Sequence, residues 1–429
     1  MVHLHETPDD VLSLILRELH QPLSWSPSRH PRVKYLYNLA LASKPLLDRT
    51  QEVMYEAFWT FNESDTWRPD GTKTWRIRSF LLTLIAQPAL ATHVRRLNLP
   101  HWMAWDRSSD EFDGHQDCAA CNKKRNGRYS LAQNHKDRIL FQKAIKGLAL
   151  TDKKAWKEAV RKNLDEVYLA LLLLILPNLK ELDILVPCNP VFLNKAMDHA
   201  TMIRPAESQF PSLQRLQRVT YQCRGNLSYM DINHAAPFFR LPAIESLHLG
   251  WVTSTSPWPI KIQNSSLKYL ELCHADVDTS IFHNLLQNLP NLETFKYEHY
   301  RSLVTPKHIL RFNELTEALL NVESSLRDLK IEPLSLSSGK PGSLRSLQRL
   351  QRLDTPMSNF LRFDGREEHL YNLLPSSLEV LEFQFLRQNP NSTRDTSIIL
   401  QIGLACTGGA VGGAKAEENI VFGKYEARS

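Results

Sequence analysis

Apolar residues recur along this chain at i, i+3 and i+5, with polar residues between them. Ser266-Leu267-Lys268-Tyr269-Leu270-Glu271-Leu272 shows the spacing in its plainest form. The same spacing returns at Val94/Leu97/Leu99, Leu179/Leu182/Ile184, Leu216/Val219/Tyr221 and Ile244/Leu247/Leu249. It continues at Leu292/Phe295/Tyr297, Leu326/Leu329/Ile331, Leu350/Leu353/Thr355 and Leu378/Leu381/Phe383. From Leu179 onward the steps run from 23 residues (Ile244 to Leu267) to 37 (Leu179 to Leu216). Two copies share the hexapeptide Leu-Gln-Arg-Leu-Gln-Arg, at 213–218 and 347–352. A period of this size gives each unit a short strand and a returning segment. One such unit cannot bury its own apolar edge, so neighbours must stack to share a core. Polar residues between the apolar ones then project together on the other side of the strands. That candidate substrate surface comprises Lys180, Glu181, Asp183, His248, Tyr269, Glu271 and Lys296.

The returning segments read as helices over Val191–Met202, Thr279–Leu289 and Phe312–Val322, with one longer helix from Trp156 to Leu176. Prolines punctuate the strand starts, as in Leu-Pro-Asn before Leu179 and Leu292, because proline cannot extend a helix. The period and spacing resemble leucine-rich repeats. The usual asparagine or cysteine of the turn is replaced by Pro187, Val252 and Ala275, which implies an irregular arc. The expected fold class is therefore α/β: a small helical N-terminal segment followed by an irregular leucine-rich-repeat solenoid at residues 75–388.

Ahead of the repeats, Thr7-Pro8-Asp9-Asp10 carries the signals of a helix start. Val11, Leu12, Ile15, Leu16 and Leu19 follow at helical spacing. Pro22 to Arg32 reads as a loop, and a second apolar segment runs from Tyr35 through Leu39, Leu41 and Leu47 to Phe58. Pro8-Asp-Asp-Val-Leu12 and Leu39-Ala-Leu-Ala-Ser-Lys44 resemble the two ends of an F-box, here covering residues 5–60. The linker is longer than usual, and Thr7 stands where the family has leucine. F-box followed by leucine-rich repeats is a recurrent pairing. The resemblance implies a non-catalytic substrate receptor of an SCF-type (cullin-RING) ubiquitin ligase. Pro8, Val11, Leu12, Ile15, Leu16, Leu19, Leu39 and Leu41 would dock a Skp-type adaptor, and through it a cullin, while the repeats hold a protein substrate. The alternative is a repeat scaffold without any ligase role, whose first helices would be occluded by the repeats.

Composition narrows the partners. Net charge is +6 over 429 residues, too dilute to imply nucleic acid without a concentrated patch. The longest wholly apolar run, Leu169–Leu176, is far shorter than the roughly 20 residues of a membrane span. Six scattered cysteines and no visible secretory signal point to a reducing cytosolic or nuclear compartment. The repeat pattern lapses at about 100–155, where His115, Cys118 and Cys121 are followed by His135. These four are the candidate metal ligands, and an open position among them would be the route to an enzyme. A single close cysteine pair is little to build a zinc site on, so free thiols and no cofactor are expected. Residues 389–429 hold six of the fifteen glycines and no further repeat motif, and are expected to form a flexible tail.

Overall fold

A computed structural model describes residues 8–20, 31–42, 44–59, 72–99, 135–162, 164–187, 189–202, 212–223, 229–254, 258, 265–299, 311–332, 342–356, 360, 372–385, 396–403 and 421–428. The chain is mixed α/β and divides into two compact units, Met1–Tyr221 with Leu241–Ala243, and Gln222–Arg240 with Ile244–Ser429. Among the described residues, no helix is long and apolar enough to cross a membrane.

The first unit opens with three helices, α1 (Asp9–His20), α2 (Pro31–Ala42) and α3 (Lys44–Glu56). Leu12 and Leu16 of α1, Leu36 of α2, and Leu46 and Val53 of α3 form one buried cluster, with Leu39 and Met54 packed against it. The apolar segment 35–58, a single stretch by pattern, is divided between α2, which ends at Ala42, and α3, whose first turn holds Lys44-Pro45. Proline has no N–H to give to the preceding turn but fits the first turn of a new helix. After α3 the chain turns directly into strand β1 (Ala57–Trp59), which pairs in parallel with β2 (Arg96–Leu99), Phe58 opposite Leu97. Phe58 also stacks on Phe80 of the helix Thr72–Ala86, at 4.1 Å between centroids.

β2 pairs in parallel with β3 (Glu181–Val186), which sets Leu97 beside Leu182 and Leu99 beside Ile184. The helix expected from Trp156 to Leu176 is two helices, Lys153–Arg161 and Asp165–Leu174. Asp152 starts the first by accepting from Ala155 N–H, and the second begins on the acidic pair Asp165-Glu166, where the dipole favours carboxylates. Glu166 in turn accepts from the N–H groups of Phe192 (2.5 Å) and Leu193 (2.8 Å), capping the helix Val191–Met202. Strand β4 (Arg218–Cys223) follows, with Gln217 and Arg218 N–H both donating to the Lys180 carbonyl.

In the second unit, β5 (Met230–Asp231) and β7 (Val252–Thr253) form a separate short pair. The main strands are β6 (Ser246–Gly250), β8 (Tyr269–Ala275), β9 (Thr294–His299), β10 (Asp328–Ile331), β11 (Arg352–Pro356) and β12 (Val380–Phe385), each parallel to the next. Register places Leu247, Leu270, Phe295, Leu329, Leu353 and Leu381 in one row. In both units, no apolar triad residue recognised by its spacing is more than 3% exposed. The helices Thr279–Leu286 and Phe312–Leu319, the latter continued as a 3-10 turn to Val322, lie where helical spacing put them. Phe282 meets Phe295 and Tyr297 edge-on, which ties its helix to the strands.

The Gly-rich tail departs from expectation. Its described residues form β13 (Thr396–Gly403), antiparallel to β12, and β14 (Val421–Arg428), antiparallel to β13. The run Ser397-Ile-Ile-Leu-Gln-Ile402 is rich in β-branched residues, but it lacks the i, i+3, i+5 spacing that marks the parallel strands.

Candidate functional site

Two surfaces stand out, one in each unit. The first lies on the N-terminal helices. Helix α1 carries apolar side chains over too wide an arc for one neighbour to cover. Leu12 and Leu16, one turn apart, are buried, whereas Val11, Leu14 and Ile15 remain outside. Tyr35, Tyr37 and Leu41 of α2 are exposed as well, so six large apolar or aromatic residues lie 40% (Ile15) to 69% (Leu41) open. Of the residues assigned to adaptor binding, Val11, Ile15 and Leu41 are therefore accessible, as is Pro8. Leu12 and Leu16 hold the helices together, and Leu39 is half-buried against the same cluster. The side chain of Leu19 lies outside the described residues. Leu14, Tyr35 and Tyr37 escaped the sequence reading, which followed only the stripe continuous with Leu12.

The second surface is the polar face of the strands in the second unit. Cross-strand pairing aligns His248, Glu271, Lys296, Lys330, Asp354 and Glu382 in a single rung. An adjacent rung holds Tyr269, Thr294, Asp328 and Arg352. Opposite charges pair along both: Lys330 reaches Asp354 (3.5 Å) and Glu332 (3.6 Å), and Arg352 reaches Glu382 (3.5 Å). Lys296 lies 5.2 Å from the centre of the Tyr269 ring, within cation–π range. Four of the predicted surface residues, His248, Tyr269, Glu271 and Lys296, are thus brought together. Lys180, Glu181 and Asp183 belong to the first unit, where Glu181 pairs with Arg218 and Asp183 accepts from Asn98 Nδ2 at 3.0 Å.

Glu271 is the hub. It takes hydrogen bonds from the Tyr269 hydroxyl and from Cys273 Sγ (3.3 Å), and His248 Nδ1 lies 3.3 Å from its Oε2. The interaction with His248, seconded by Tyr269, holds its carboxyl at about 2 despite partial burial. The neighbouring groups move the other way. Burial and then the Glu271 carboxylate push the Tyr269 hydroxyl up, and burial with Glu271 and Glu298 pushes the Cys273 thiol up. A nucleophilic cysteine needs a depressed pKa and a base to take its proton. Cys273 instead keeps its proton and donates a hydrogen bond to a carboxylate, so Cys273, His248 and Glu271 do not form an activated triad.

The backbone helps to shape this corner. Trp251 and His274 follow Gly250 and Cys273, which are paired across β6 and β8, and both adopt left-handed conformations (φ 59° and 51°). Their ring centroids lie 4.4 Å apart with the planes tilted by 39°, and His274 Nδ1 contacts Glu298 Oε1 at 3.0 Å. On the far side of His248, Gln222 Nε2 lies 2.7 Å from the ring's Nε2.

His115, Cys118 and Cys121 lie outside the described residues, and His135 is an exposed residue at the start of the helix His135–Gly147. The cluster of His248, Glu271 and Cys273 was not assembled from sequence. Its signal is present, since His248 and Glu271 are 23 residues apart, the same step that separates Ile244 from Leu267. Comparison with known proteins finds no protein-family model that matches this chain and no curated protein similar to it.

Proposed function

We propose that this chain is the substrate-recognition subunit of an SCF-type ubiquitin ligase. Its three N-terminal helices dock a Skp-type adaptor, and a leucine-rich-repeat solenoid holds a protein substrate. The observation that carries the proposal is the exposure of Val11, Leu14, Ile15, Tyr35, Tyr37 and Leu41 on helices already held together by their own buried cluster. Burying such side chains supplies about 1.5–3 kcal/mol each before ordering costs. Aromatic residues flanked by aliphatic ones are the usual anchors of protein interfaces. The alternative, a repeat scaffold with no ligase role, has no use for such exposed side chains unless its own chain covers them.

The chain supplies no chemistry of transfer in this role. It raises the local concentration of substrate near the enzyme that carries ubiquitin. Charged rungs such as Lys296, Lys330, Asp354 and Glu382 suit a polypeptide substrate with charges of both signs. The test is co-purification with the adaptor, comparing the wild type with Ile15→Asp plus Leu41→Asp. Both positions are exposed, so thermal stability should hold while adaptor retention falls more than about tenfold. Retention at the wild-type level would remove the ligase assignment.

A further inference from the structure

Three unlike donors meet on one open face of the second unit: the imidazole of His248, the carboxylate of Glu271 and the thiol of Cys273. Candidate ligand atoms of the three all lie within 4.8 Å of one another. His248 and Glu271 are direct cross-strand partners, and Cys273 follows Glu271 by two residues, so β-strand alternation turns all three to the same side. Nitrogen, sulfur and oxygen bind Zn²⁺ at about 2.0–2.3 Å, which sets the edge of a tetrahedral site at about 3.3–3.8 Å. His248 Nδ1 lies 3.3 Å from Oε2 of Glu271 and Cys273 Sγ lies 3.3 Å from its Oε1, so the carboxylate turns one oxygen to each neighbour. Small movements of three partly exposed side chains would therefore admit the ion.

We infer that His248, Glu271 and Cys273 form a three-residue Zn²⁺ site on the strand face, with the fourth position open to solvent. The surroundings have the form of an outer shell. Gln222 Nε2 lies 2.7 Å from the far ring nitrogen of His248 and steadies the imidazole from outside the cluster. Tyr269 donates to Glu271 and orients it. Lys296, the cross-strand partner of Glu271, has its ammonium over the Tyr269 ring, 5.2 Å from the centroid. On binding, the Cys273 S–H proton passes to solvent and the sulfur's lone pair forms the Zn–S bond. No oxidant or further reactant is needed. The mixed thiolate, imidazole and carboxylate set suits zinc better than calcium or magnesium, which take oxygen donors. The site is independent of the ligase reading.

The test uses the full chain, purified, stripped with chelator and titrated with Co²⁺ as a spectroscopic stand-in and then with Zn²⁺ in competition. The expected result is a thiolate-to-Co²⁺ charge-transfer band that is absent from Cys273→Ser and displaced by one equivalent of Zn²⁺. His248→Ala should lose the same band, and Gln222→Ala, which removes only the outer partner, should weaken Zn²⁺ by about 10–100-fold. Cys118→Ser plus Cys121→Ser should leave the Cys273-dependent band in place. Circular-dichroism melts of the stripped proteins confirm that the variants fold. A band that survives Cys273→Ser, or no Co²⁺ binding by the folded wild type, overturns the site.

Discussion

Asp328 sits on the strand face among charges of both signs, and its own titration follows from where the chain puts it. Burial raises its carboxyl pKa and the Asp354 carboxylate adds to this, while Arg352, Lys296 and Lys330 pull it down without restoring the ordinary value. A carboxyl whose folded pKa is raised is ionised more easily in the unfolded chain, so at neutral pH its charge opposes folding. The opposition disappears as pH falls below the unfolded value of about 3.9, where both states are protonated. Asp328→Asn should therefore melt higher than the wild type at pH 7, and the difference should shrink to nothing on acidification. Melting curves across that range check it, and a variant that is less stable at pH 7 would show that the cations around Asp328 depend on it. None of this was legible in the sequence, because Arg352 and Lys296 become neighbours only through pairing across strands. The same holds for Cys273, which a linear reading passes over as a lone cysteine.

At the scale of the element, legibility follows periodicity. The longer parallel strands each carry the spacing, and every triad assigned from it is buried. The elements that escaped are those whose signal is short or of another kind. The three residues of β1 are too few to show a spacing, and their partner β2 lies 39 residues away in sequence, counted from Ala57 to Arg96. β13 and β14 pair antiparallel and obey a different alternation. The break at Lys162–Leu164 sits inside a run that remains apolar and helical in pattern on both sides. Gly250 shows how closely two strands can be fitted at one point. A Cβ there would lie 2.8 Å from Cγ of Gln222 and 3.3 Å from its Cβ, contacts too near the Gln222 backbone to be relieved by moving the tip alone. Gly250→Ala should destabilise the protein by about 1–3 kcal/mol, the usual cost of overpacking. It should also displace Gln222 from His248. Urea unfolding measures the first effect, and a loss below about 0.5 kcal/mol would mean that the strand edge yields freely.

For the whole molecule the question is whether the N-terminal helices are a module that can be removed. A boundary between residues 60 and 75 follows from the F-box resemblance, yet the connection across it is structural on several counts. β1 completes the pairing of β2, and the Arg95 N–H donates to the Glu56 carbonyl at 2.8 Å. Glu56 also bridges Arg17 (3.5 Å) and Arg96 (3.0 Å), linking α1 and α3 to β2. Removing residues 1–71 would strip β1, expose the backbone edge of β2 and uncover Phe80, which stacks on Phe58. An unpaired strand edge beside exposed apolar surface invites pairing with another copy. The shortened chain should therefore elute as oligomers, or melt several degrees lower. Ile15→Asp plus Leu41→Asp, which changes only outward side chains, should remain in the state of the wild type. Size-exclusion chromatography with light scattering separates the two outcomes. A monomeric, equally stable truncated chain would mean that β1 and the Glu56 ion pairs contribute little, and that the helices are separable after all. If the truncation does damage the fold, loss of adaptor binding on truncation carries no information about the exposed side chains, and only the point variants can decide the ligase assignment.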